Sequence, residues 1–206
     1  MRAAVIYDTS FLMSERYRDV PKDKDIEWTT FVPVEVKREI HGHFANPEKE
    51  RWAKAARKRF ATLLAAGCEE VELSTQAKPV SYDDLLGADS DTDKLLIGFA
   101  KHLLENSRFD IVYVATDDGG ILCDIAKMSR VTGLKAYGIS PDSLENGGFP
   151  GSLEDRILPL LQSGEKIEAI KLYRQKTGLG FKEAKDAVEA LAAGQPIARR
   201  RPGSDR

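Results

Sequence analysis

Twice in this chain a short apolar run halts at a hydroxyl-flanked carboxylate, and a helical pattern resumes at once. The first is Ala3-Ala4-Val5-Ile6-Tyr7-Asp8-Thr9-Ser10-Phe11-Leu12-Met13. The second is Asp110 to Ala115, followed by Thr116-Asp117-Asp118-Gly119-Gly120. Continuous apolar runs of this length read as strands buried on both faces, the habit of a parallel sheet. Such a sheet commits the chain to strands alternating with helices through right-handed crossovers. Ligands bind just beyond the carboxyl ends of such strands, so Asp8 and Thr116 to Asp118 stand where a site belongs. Asp8 also suits a helix N-cap for local reasons, and Thr9 and Ser10 can cap through their hydroxyls. The recurrence of the pattern is what favours a site.

The remaining pattern fits an α/β fold over residues 1–140, three-layered with a mainly parallel central sheet. Thr29 to Val32 predicts a second strand. Past Pro33, Val34 to His43 reads as a helix, with Glu35, Glu39 and His43 on one face. Asn46-Pro47 opens a helix with an apolar stripe of Trp52, Ala56, Phe60, Leu63 and Leu64, stopped at Gly67. Glu70 to Leu73 predicts an edge strand. Residues 74–90 read as a loop with a turn or short helix around Tyr82 to Leu86. Ser90 and Asp93 have capping-box spacing ahead of a helix to Leu104. A helix over 121–130 and a strand over 134–139 follow the strand at 110–115. Residues 141–152, with Pro141, Gly147, Gly148, Pro150 and Gly151, read as a linker. Residues 153–193 predict a helical hairpin turning at Thr177-Gly178-Leu179-Gly180. Residues 194–206, containing Arg199-Arg200-Arg201, predict a disordered basic tail.

Composition removes several classes. An apolar fraction of 42% in 206 residues supports a core. No apolar run approaches the length of a membrane span, and the first strand is interrupted too early for a signal peptide. Cys68 and Cys123 lack metal-ligand spacing, and two lone thiols suit a cytoplasmic protein. A net charge of −2 gives no global attraction to nucleic acid. Arg51, Lys54, Arg57, Lys58 and Arg59 nevertheless crowd one predicted helix. That face is a candidate phosphate contact only if it flanks an acidic, metal-binding site.

The carboxylates that end strands or begin helices are Asp8, Glu35 or Glu39, Asp91 or Asp93, and Asp117 or Asp118. A parallel sheet can bring them to one cleft. Carboxylates held together repel and raise one another's pKa values. A divalent cation relieves this, and oxygen ligands without His or Cys point to Mg²⁺ or Mn²⁺. Such a site suits phosphodiester hydrolysis.

Asp8-Thr9-Ser10 after a strand, Val32-Pro33 with Val36 and Glu39-Ile40, Asp93-Lys94-Leu95-Leu96-Ile97, and Thr116-Asp117-Asp118-Gly119 resemble the four motifs of the PIN domain. The resemblance covers about residues 1–140, in order. It implies a Mg²⁺- or Mn²⁺-dependent endoribonuclease leaving 5′-phosphate and 3′-hydroxyl ends. Asp8, Glu39, Asp93 and Asp118 would be its acidic residues, with Asp91 beside Asp93 as a further metal ligand. Ser10 and Thr116 would support the site, and Glu35 and Asp117 are the neighbouring alternatives. Some proteins of this kind act as toxins beside a small antitoxin. A phosphatase of the haloacid-dehalogenase type also begins with a strand and Asp, but needs a second Asp where Ser10 stands.

Lys166-Ile167-Glu168-Ala169-Ile170-Lys171, Arg174, and Thr177-Gly178-Leu179-Gly180-Phe181-Lys182-Glu183-Ala184-Lys185 resemble the C-terminal domain of the bacterial ribosomal stalk protein. The strands of that domain are missing from the resemblance. It implies recruitment of a translational GTPase or the ribosome, with Ile170, Lys171, Arg174 and Lys185 on the partner-binding face. The hairpin could equally serve as a dimerisation or docking element. The alternative to a ribonuclease is therefore a non-catalytic adaptor that binds its partner through the hairpin.

Overall fold

In the computed structural model, residues 1–78, 90–145, 157, 160–161, 164–177 and 180–192 are described. The first apolar run forms β1 (Arg2–Tyr7), whose residues from Ala3 onward are all buried. There follow α1 (Thr9–Met13), β2 (Glu27–Pro33), α2 (Val34–His43), α3 (Glu50–Ala65), β3 (Glu69–Val71) and α4 (Leu73–Gln76). Then come α5 (Asp91–Glu105), β4 (Ile111–Ala115), α6 (Gly119–Thr132), β5 (Ala136–Ile139) and α7 (Pro141–Glu145). The helical region contributes α8 (Lys166–Thr177) and α9 (Phe181–Ala192).

The five strands form one sheet in the order β3-β2-β1-β4-β5, every neighbouring pair parallel. The α/β class and the parallel sheet expected from the sequence are thus observed. β1 to β3 travel one way across the sheet, and β4 to β5 the other. Right-handed connections then put α1–α3 on one face and α4–α6 on the opposite one. The helices group accordingly: α1, α2 and α3 touch one another, and α5 touches α4 and α6.

The period-2 geometry of β1 divides its side chains between these layers. Ala4 and Ile6 join Val112 and Val114 of β4 against Leu96, Ile97, Phe99 and Leu103 of α5 and Ile121 and Ile125 of α6. Burying each large side chain of this kind contributes roughly 1.5–3 kcal/mol. Tyr7 instead meets Phe11 edge-on, ring centroids 5.6 Å apart. The reversal of direction falls between β1 and β4, so their carboxyl ends border the topological switch point where parallel sheets bind ligands.

Local signals account for most element ends. Ser90 and Asp93 make the expected capping box at the start of α5. Gly133 ends α6 in the left-handed region at φ 72°, where a Cβ would be strained. Several details differ from the sequence reading, among them Leu73, read as part of an edge strand, and residues 74–76, read as loop, which form α4. β2 starts at Glu27 because its N–H continues the pairing by donating to the carbonyl of Met1 at 3.1 Å. α3 starts at Glu50, not Asn46, because Asn46 Oδ1 accepts the N–H of Glu48 at 2.9 Å and forms a turn first. Residues 141–145, read as linker, form α7, opened by reciprocal hydrogen bonds between Ser140 and Ser143 with Pro141 at the first helical position.

The predicted turn at Tyr82 to Leu86, most of the linker, the hairpin turn at Gly178-Leu179 and the tail at 194–206 lie outside the described residues. Among those described, no helix is long and apolar enough to cross a membrane. The chain divides into two compact units, Met1–Leu144 and Glu145–Arg206. In the second, Ile157, Ala169, Ile170, Tyr173, Ala184 and Val188 form a separate small core. Lys166 Nζ of α8 pairs with Glu189 of α9 at 2.7 Å.

Candidate functional site

The parallel ladder carries two segments beyond the strands it ends. The Asp8 N–H donates to the carbonyl of Ala115 at 2.9 Å, and the Thr116 N–H to that of Ile139 at 2.9 Å. Asp8 is therefore locked beside Thr116 at the switch point, only 5% exposed. Its Oδ2 accepts hydrogen bonds from the Ser10 hydroxyl at 2.5 Å, the Thr116 hydroxyl at 2.8 Å and the Ser10 N–H at 3.3 Å. Each hydroxyl has one proton to give. With Asp8 ionised, both go to the carboxylate, leaving both oxygens as acceptors. Ser10 Oγ takes the N–H of Asp117 at 2.8 Å, and Thr116 Oγ1 that of Asp118 at 3.0 Å. Two hydroxyls thus tie Asp8 to the backbone of the second acidic segment.

Asp8, Thr9 and Ser10 were all candidate caps. Asp8 is the N-cap of α1, and the Thr9 hydroxyl instead donates to Glu39 Oε2 on α2 at 2.5 Å. Glu39 is thereby held near Asp8. Burial pushes the Asp8 carboxyl above the ordinary carboxylate range, and the charge of Glu39 adds to the push. Hydrogen bonds from Ser10, Thr116 and the Thr9 backbone work against it.

The other acidic candidates are engaged elsewhere. Glu35 Oε2 accepts the N–H of Leu73 at 3.2 Å, so it serves the start of α4. Asp93 bonds the Ser90 N–H at 3.1 Å within the capping box. Asp91 is 98% exposed and lies 3.8 Å from Lys94 Nζ. Asp118 Oδ1 caps α6 through Gly120 N at 2.7 Å and Ile121 N at 3.1 Å. Asp117 lies 4.0 Å from Arg16. Glu35, Asp91 and Asp93 thus take partners other than those of Asp8. Among the described residues, no group of three His, Cys, Asp or Glu side chains could hold a metal as arranged.

The donor chemistry nevertheless suits a hard cation. It consists of carboxylates and hydroxyls, with a buried carboxylate beside a second one that it repels. Two acids, Asp8 and Glu39, are brought together, and Asp118 is tied to Asp8 through Thr116. The sequence reading missed Thr9. Its signal was a hydroxyl directly after the strand-ending Asp, which local capping rules had already explained.

The basic helix also resolves differently from its sequence pattern. Arg59 turns inward, donating to the carbonyls of Leu12 and Ser14 and stacking over Tyr17 at 4.4 Å. Lys54 pairs with Glu50 at 2.7 Å. Arg51, Arg57 and Lys58 face solvent.

In the second unit, Ile170 is 6% exposed within the hairpin core, so it is not part of an outward face. Helices that bury Ala169, Ile170 and Tyr173 on one side turn Ile167, Lys171 and Arg174 outward at helical spacing. The Arg174 guanidinium lies 5.9 Å from the ring centroid of Phe181 on α9. Lys185 follows one turn after Phe181 and approaches Glu189 at 3.9 Å. Ile167 and Phe181 are 70% and 59% exposed. The face therefore combines two exposed apolar groups with Lys171, Arg174 and Lys185.

Searches of curated proteins and of solved structures return no match to this chain. The family model of the ribosomal protein L7/L12 C-terminal domain matches residues 157–200, within the second unit.

Proposed function

We propose that the Met1–Leu144 unit is a Mg²⁺- or Mn²⁺-dependent endoribonuclease of PIN type, and that the second unit directs it to a translational GTPase or the ribosome. The observation that carries the first half is Asp8. It is a buried carboxylate at the switch point, held by two hydroxyls and repelled by Glu39. Asp8 and its neighbour Glu39 would be the cation's protein ligands. Bound there, it would act as a Lewis acid toward the phosphodiester and lower the pKa of an attacking water. Thr9 orients Glu39. Ser10 and Thr116 favour the ionised form of Asp8 by donating to it, working against the burial that raises its pKa. The direct test is RNA cleavage in Mg²⁺ and Mn²⁺ by the full chain and by Asp8→Asn. Unchanged cleavage by the variant overturns the assignment.

The second half rests on the L7/L12 match and on the mixed apolar and basic face of α8 and α9. Its test is co-sedimentation with ribosomes of the full chain and of a Lys171→Glu, Arg174→Glu double variant. Equal sedimentation overturns it. A second reading, a non-catalytic adaptor, is favoured by one observation: Asp93 and Asp118 already serve helix starts. It requires ribosome association without any RNA cleavage.

A further inference from the structure

The turn after α1 is held from several sides. Arg59 binds the carbonyls of Leu12 and Ser14. Trp52 Nε1 donates to Glu15 at 3.0 Å. Tyr17 lies between Phe11, at 5.7 Å between ring centroids, and the Arg59 guanidinium. The Arg16 N–H donates to Ser14 Oγ at 3.3 Å. What this rigid turn presents is Arg16, whose side chain is half exposed. Its guanidinium bonds Asp142 on α7 and stands 4.0 Å from Asp117. Asp117 directly follows Thr116, the residue bonded to Asp8. A cation is therefore fixed on the rim of the acidic edge.

Exposed ion pairs add little stability, so the pairing with Asp142 is not what holds the turn. A phosphodiester approaching Arg16 also meets Asp117 and Asp142, and needs positive charge to offset them. A guanidinium offers two parallel N–H donors matched to phosphate oxygens. We propose that Arg16 is the phosphate-recognition residue of the site, leaving Asp142 to bind a backbone phosphate of single-stranded RNA. This rests on the nuclease reading for its substrate.

The experiment measures binding of a short fluorescein-labelled single-stranded RNA to the full chain by anisotropy, in Ca²⁺ and over a range of salt. Cleavage of the same RNA in Mn²⁺ is measured in parallel. Arg16→Gln and Arg16→Ala are expected to bind roughly tenfold more weakly. They should flatten the plot of log affinity against log salt by about 0.7, the loss of one phosphate contact on a single strand. Arg16→Lys should keep the slope and recover part of the affinity. Asp142→Asn should keep the slope and bind equally or more tightly. Should either neutral Arg16 variant fold poorly by thermal melt, the other carries the test. An unchanged slope in a folded neutral variant overturns the proposal. So does a loss of affinity in Asp142→Asn equal to that in Arg16→Ala, which would make the pair structural. Cleavage by the wild type with an Arg16-independent slope sinks this inference alone. An Arg16-dependent slope with no cleavage in any metal sinks the nuclease reading and leaves Arg16 as an RNA contact.

Discussion

Asp8 and Asp93 look alike in sequence: each stands near the start of a helix with a serine nearby. Their surroundings make them different groups. Asp93 is at the third position of a fifteen-residue helix and trades hydrogen bonds with Ser90, both at 3.1 Å. Asp8 ends a buried strand, and Ser10 and Thr116 spend both their protons on it. Backbone amides at a helix start need an acceptor, and Asp93 with Ser90 provides it. Nothing of that kind requires two hydroxyls and a second carboxylate around Asp8. The contrast teaches that an acid's role is read from what donates to it and what repels it, more than from its place in a motif.

Asp8 is where substitution should cost most. Asp8→Asn should lower RNA cleavage roughly a thousandfold while the fold persists, because Asn can still accept from Ser10 and Thr116. Cleavage by gel and the far-ultraviolet dichroism check both halves. Thr9→Val should come next. It frees Glu39 and should cost about ten- to a hundredfold in cleavage, with little change in melting temperature. If Thr9→Val melts much earlier and cleaves normally, the Thr9–Glu39 bond is structural.

Ser90→Ala probes the α5 acid in the same way. Losing the α5 cap should cost about 1 kcal/mol, roughly 2–4 °C in melting temperature, with cleavage changed far less than in Asp8→Asn. Asp93→Asn cleaving as poorly as Asp8→Asn would show that the α5 acid does both jobs.

The smallest effect is in pH. The raised pKa of Asp8 means that the folded chain holds this proton more tightly than the unfolded one. Its contribution therefore favours the fold at low pH, declines as pH rises from the ordinary carboxylate range through the raised value, and is level above it. Urea melts over that range should show a shallower decline in Asp8→Asn than in wild type.

How much of this the sequence carried follows from the range of each interaction. β1, β4 and the α5 cap rest on contiguous residues, and each was legible. Asp8 was legible as well, because a carboxylate ending a buried strand is a local pattern. Glu39 against Glu35 was not: both share one face of α2, and a single turn sends one to Thr9 and the other to the amide of Leu73. That depends on how α2 lies against β1 and α4. Arg59 read as part of a basic face, but the carbonyls it caps, of Leu12 and Ser14, belong to the end of α1 and the turn after it, more than forty residues away. Ile170 matched an outward position by resemblance, yet α9 covers it. The start of α7 could have been read, since Ser140-Pro141 is a helix-opening pair, but the glycines that follow outweighed it.

The most direct measurement is a calorimetric titration of Mn²⁺ into the wild-type chain, Asp8→Asn and Ser90→Ala. A binding heat is expected in the wild type and in Ser90→Ala, and none in Asp8→Asn. The same heat in Asp8→Asn as in the wild type would contradict the assignment of Asp8 to the cation.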